Sequence, residues 1–129
     1  MAESDVARVL LAKAQDDLHA LGNMLDHRSF STAIFGFHAQ QAVEKAAKAW
    51  LIVLGWDPPF THDLRELLFE LEQRAGSETS QWRDFLALNP FAARLRYGEE
   101  PRAHELDRLG VLGRVSQFVA AAAAAVAAV

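Results

Sequence analysis

The chain has no cysteine among its 129 residues. That excludes disulfides, thiol nucleophiles and thiolate metal sites together, and it fits a reducing cytoplasm. Positive charge is not in excess: thirteen Lys and Arg against seventeen Asp and Glu leave a formal net charge of −4. This balance argues against a broad basic face for gripping phosphate backbones and leaves a local basic patch open. The histidines, His19, His27, His38, His62 and His104, form none of the Glu-x-x-His or His-x-x-x-His pairs that helical metal sites use. There is no Gly-x-Ser-x-Gly elbow and no Gly-rich phosphate loop. Neither a metal nor a cofactor is expected.

Strand signals and long apolar runs are missing too. The N-terminus, MAESDVARVL, carries acidic residues where a signal peptide needs positive charge. The longest apolar stretch, Phe118 to Val129, is dominated by alanine and about half the length of a bilayer span, so it reads as a helix end. The expected setting is the cytoplasm, with no membrane. Length and composition, 51% apolar and 23% charged, fit a single domain over residues 1–129 with a real hydrophobic core.

What is present is helical periodicity. A first helix starts near Ser4 as N-cap and repeats apolar residues at Val6, Leu10, Ala14, Leu18 (or Asp17), Leu21 and Leu25. A second, from about Ser29 to Leu54, is apolar around much of its circumference and belongs at the centre of the fold. Gly55 and Pro58-Pro59 end it. Thr61 or Asp63 caps a third helix striped by Leu64, Leu67, Leu68 and Leu71. A short fourth helix holds Trp82, Phe85 and Leu86, and Asn89-Pro90 stop or kink it. Residues 90–101 read as irregular. A last helix from near Pro101 carries Leu106, Leu109, Leu112, Val115 and Val119. The architecture expected is all-α, an antiparallel up-and-down bundle of four long helices plus one short helix. Trp50, Leu54, Leu67, Leu71 and Phe85 are the expected core.

Chemistry concentrates in the second helix. At 100° per residue, His38, Gln41, Lys45 and Lys48 fall within about 80° of one another, a polar ridge able to hold an anion or a nucleotide. The plainer reading makes Lys45 and Lys48 a solvated face, with Glu44 paired to Lys48 and His38 a satisfied core histidine. A second concentration, Arg94, Arg96 and Arg102 around Tyr97, suits phosphate and base recognition, or equally arginines packed over a tyrosine at a bundle end.

The stretch FHAQQAVEKAAKAWLIVLGWDPPFTHDLRELLFEL, Phe37 to Leu71, resembles the hallmark segment of HEPN domains (higher eukaryotes and prokaryotes nucleotide-binding). Arg96-Tyr97 is similar to the R-Y-P element of one subgroup, with Gly98 in place of proline. The resemblance implies a four- to five-helix bundle, a homodimer, and a small nucleotidyltransferase as partner, in some cases as a toxin–antitoxin pair. It also implies an alternative, a metal-independent RNA endonuclease using an Arg followed after four to six residues by His. Here Arg96 precedes His104 with seven residues between, and Arg102 with one, so neither pair matches and RNA as a ligand loses ground. The leading expectation is a nucleotide- or phosphate-binding module. Its ligand residues would be Lys45, Lys48, His62, Arg96 and Tyr97, with Gln41 and His38 further along the ridge.

Overall fold

The second helix organises everything around it. In the computed structural model, which describes residues 2–96 and 106–129, α1 spans Glu3–Gly22 and α2 spans Thr32–Val53. Then come α3 (Leu64–Ala75), a run of 3-10 turns (Ser77–Leu88), α4 (Asn89–Arg96) and α5 (Arg108–Ala127). Among the described residues there is no strand, and the fold is the all-α bundle expected. Alanines 33, 39, 42, 46, 47 and 49 of α2 are buried. Their small side chains let neighbouring helices approach from several sides.

The contacts fix directions. Asp17 of α1 reaches His38 and Lys45 of α2, while Ala7 meets Ala49, so α1 and α2 are antiparallel. α5 begins with Arg108 over Phe35, packs Phe118 on Trp50, and ends with Val126 beside Ala7 and Ala49. It thus opposes α1. The loop after α2 turns back along that helix: α3 starts beside Glu44 and finishes with Arg74 over Trp56. α4 descends from Asp63 toward Gly36, where Phe91 fills the space that a Cβ would need.

Local chemistry explains the boundaries. α2 starts at Thr32 rather than near Ser29, with Ser31 capping it by accepting from the Ile34 amide. Gly55, at φ +89°, closes α2, with Gly55 N–H donating to Ile52 O and Trp56 N–H to Leu51 O. That is a Schellman end, which needs the left-handed conformation glycine adopts without strain. Asp63 caps α3 through the Arg65 amide.

Several expectations are corrected. α1 starts at Glu3 after Ala2 without a side-chain cap, and Ser4 lies inside it. Its buried residues, Ala7, Ala14 and Leu21, leave Val6 exposed, because the α1–α2 contact is a close one that selects small residues. The segment around Trp82 winds as 3-10 turns because Thr79, Trp82, Phe85 and Leu88, all buried, recur every third residue. Asn89-Pro90 opens α4 instead of stopping a helix; Pro90 sits in the first turn, where its missing N–H costs nothing. Residues 90–96 are therefore helical rather than irregular. Leu106 and Asp107 are not helical, so α5 begins at Arg108 with Asp107 as cap, not near Pro101. Leu54, the C-cap residue of α2, is exposed, and Leu109 is 70% exposed because Arg108 takes the inward position at the start of α5. Leu67, Leu71 and Phe85 are buried as expected, and Trp50 packs partly buried against the same core.

By length and composition α5 is apolar enough to cross a membrane; here one face of it, Val115, Phe118, Val119, Ala122 and Val126, is built into the bundle.

Candidate functional site

The polar ridge of α2 divides between two carboxylates. On the side facing α1, Asp17 holds His38 Nδ1 at 3.1 Å and accepts from Lys45 Nζ at 2.7 Å. On the side facing the start of α3, Glu44 sits 3.0 Å from His62 Nδ1 and accepts from Lys48 Nζ at 3.2 Å. The two groups share one pattern, a carboxylate between an imidazole and an ammonium; Asp17 gives each its own oxygen, while both oxygens of Glu44 lie within 3.2 Å of His62 Nδ1. His38 and Lys45 point to a different partner helix from Lys48 and His62, which is why one ridge in the sequence becomes two clusters in space.

The Glu44 cluster is the deeper one. Glu44 is 4% exposed and Gln40 is fully buried, while Lys48 and His62 reach partial exposure. Gln40 Nε2 donates to Glu44 and to the His62 carbonyl, both at 3.0 Å, and Gln41 Nε2 donates to Gln40 Oε1 at 2.7 Å. A buried carboxylate is tolerable because three side chains satisfy it. Glu44 and Gln40 thus fix the orientation of His62 and Lys48 at the edge of the bundle.

The α3 N-terminus beside it is already occupied. Asn89 Oδ1 accepts from the Leu64 amide at 2.8 Å, and Asp63 accepts from the Arg65 amide at 2.9 Å. Asn89 Nδ2 donates to Asp63 Oδ1 at 2.8 Å, tying the start of α4 to the start of α3. The Arg65 guanidinium beside Asp63 holds its carboxyl below the usual aspartate value, helped by the Arg65 amide and Asn89 and opposed by desolvation. The first two amides of α3 are thus taken, and the cationic or imidazole side chains at this edge are His62, Lys48 and Arg65.

The structure thus brings together Lys48, His62 and, through Gln40, Gln41; it places His38 and Lys45 on Asp17. α4 ends at Arg96, whose side chain lies outside the described part, and Tyr97, Arg102 and His104 lie outside the described residues. Among the described residues, no group of three or more His, Asp or Glu is placed to hold a metal ion. Sequence reasoning missed Asp17 as an ion-pair partner, Gln40, and Asn89. Only the Glu44–Lys48 spacing of four residues left a local trace; the other partners come from elements distant in the chain.

The model of one protein family, described as the HEPN domain, matches residues 7–122. No curated protein and no solved structure matches.

Proposed function

Since this chain belongs to the HEPN family, we propose that it is a nucleotide- or phosphate-ligand-binding helical module that acts as a homodimer and as the partner of a small nucleotidyltransferase, including the toxin–antitoxin type of pair. The ligand site is the α2–α3 junction. The observation that carries this reading is the convergence of Lys48 and His62 on the buried Glu44, which holds two partly exposed donors in fixed orientation at the bundle edge. Preorganised donors of this kind lower the cost of ordering a ligand. Because Glu44 already neutralises Lys48, a phosphate has to compete with an internal ion pair, so binding is modest. Arg96 joins the proposal on the chemistry of its guanidinium alone, which binds phosphate oxygens bidentately.

Self-association draws on α5. Leu109, Gly113, Ser116, Ala120 and Ala127 are exposed and fall on one side of the helix at spacings of four, three, four and seven. A face of small and apolar residues permits close approach by a second helix.

Titration calorimetry with ATP and GTP tests the site, on wild type and on a Lys48→Gln, Arg96→Gln double variant. Glutamine keeps a donor for Glu44, so lost binding is not lost folding. Wild type should bind and the double variant should not. Absence of wild-type binding at millimolar nucleotide, or equal binding by the variant, defeats the proposal. Metal-free RNA cleavage abolished by His104→Ala would move the assignment to the ribonuclease alternative.

A further inference from the structure

Phe60 is 96% exposed, in the loop that returns from α2 to α3. A phenyl ring left in water adds nothing to the core, and its position is nonetheless defined. Pro58-Pro59 restrict the backbone before it. Its ring meets the His62 ring edge-on, with centroids 5.6 Å apart and planes at 71°. His62 is in turn held by Glu44 at 3.0 Å. The exposed aromatic face is therefore fixed, through one histidine, to the cluster that carries Lys48.

We propose that Phe60 is the base-stacking residue of the α2–α3 site, taking the π-face of a nucleotide whose phosphates lie toward His62 and Lys48. This rests on the nucleotide-binding reading above and names the group that recognises the base. The surroundings favour a base over an apolar protein surface. Asp57, Arg65 and Glu66 are exposed and Thr61 and His62 half-exposed, so polar residues flank the ring along the chain, with Pro58 and Pro59 as its adjoining apolar residues. A hydrophobic protein contact needs a contiguous apolar patch. A nucleotide needs one flat ring beside hydrogen-bond donors, which is what this loop offers. Stacking tolerates any base, with purines held more tightly for their larger face.

The test uses the full chain and two probes, ATP and inorganic tripolyphosphate, on wild type, Phe60→Ala and Phe60→Trp. Since the ring is outside the core, all three should unfold at the same temperature. Phe60→Ala should weaken ATP binding about ten-fold and leave tripolyphosphate binding unchanged, and Phe60→Trp should restore ATP affinity. Equal ATP affinity in wild type and Phe60→Ala overturns the stacking role and leaves the nucleotide reading standing. Equal wild-type affinity for ATP and tripolyphosphate also overturns the stacking role and reduces the nucleotide reading to a phosphate site. Failure of wild type to bind either probe removes both readings. If Phe60→Ala instead changes the sedimentation coefficient while ATP binding holds, Phe60 is a protein contact and the proposal is wrong.

Discussion

Arg108 shows how a single residue can anchor a helix from inside the fold. It is buried, and its guanidinium donates to the carbonyls of Met24 at 2.7 Å, Asp26 at 3.3 Å and Phe30 at 2.7 Å, while lying 5.2 Å from the Phe35 ring centroid. These carbonyls belong to the α1–α2 connection, so one side chain closes the turn and docks the start of α5 on it. Its Nε has no hydrogen-bond partner, a cost that the fork of remaining donors outweighs. Arg108→Ala should therefore destabilise by about 3–5 kcal/mol, since buried acceptors lose a charged donor. Urea unfolding at neutral pH measures this; a change below about 1 kcal/mol, the size of an ordinary surface substitution, would show the bracket to be incidental. Nothing in the sequence marks Arg108. Its neighbour Leu109 fits the apolar stripe better, and only the carbonyls of a distant turn decide which of the two goes inward.

At the scale of elements, the junction of α3 with α4 is electrostatic as well as apolar. Asp63 caps α3, pairs with Arg65 and accepts from Asn89, and its carboxyl titrates below the ordinary aspartate value of 3.8. A carboxyl whose folded pKa is depressed contributes stability that is fully present above the unfolded value and is lost as pH falls through the folded one. Glu72, held low by Arg83, and Asp26, held low by the Arg28 amide, act in the same direction. An Asp63→Asn comparison isolates the junction: the stability gap to wild type should be constant from neutral pH down to about pH 4 and should shrink below it. A gap independent of pH down to pH 2 would mean that folding does not depress the Asp63 carboxyl, contrary to its pairing with Arg65 and Asn89.

The same junction separates what could be read in advance from what could not. The central α2, the Asp63 cap and the leucine stripe of α3 were legible because each rests on local spacing. The 3-10 run also left a signal, the strict three-residue recurrence of Thr79, Trp82, Phe85 and Leu88, which a helical reading centred on Leu86 passes over. The role of Asn89 was not legible, because its partners Asp63 and Leu64 lie more than twenty residues away. In the site, the angular ridge on α2 was real, but its division between Asp17 and Glu44 depends on which helices lie on either side.

For the whole molecule, the two ends of the account are the exposed face of α5 and the α2–α3 junction. Gly113 has nothing within 4 Å of the place where a Cβ would sit, so a larger side chain there leaves the isolated chain unstrained. If this face joins two copies across an interface of roughly 1,200 Å² or more in total, wild type should sediment as a dimer at tens of micromolar, and Gly113→Arg should yield a folded monomer. A wild-type monomer at that concentration, or a dimer unaffected by Gly113→Arg, would remove α5 as the joining surface. The central claim is the ligand site, and an ATP titration followed by amide NMR tests it most directly, since a 14.3 kDa chain resolves residue by residue. The account predicts saturable shifts confined to Lys48, Phe60, His62 and their neighbours; shifts confined to α5, or none at millimolar ATP, would contradict it.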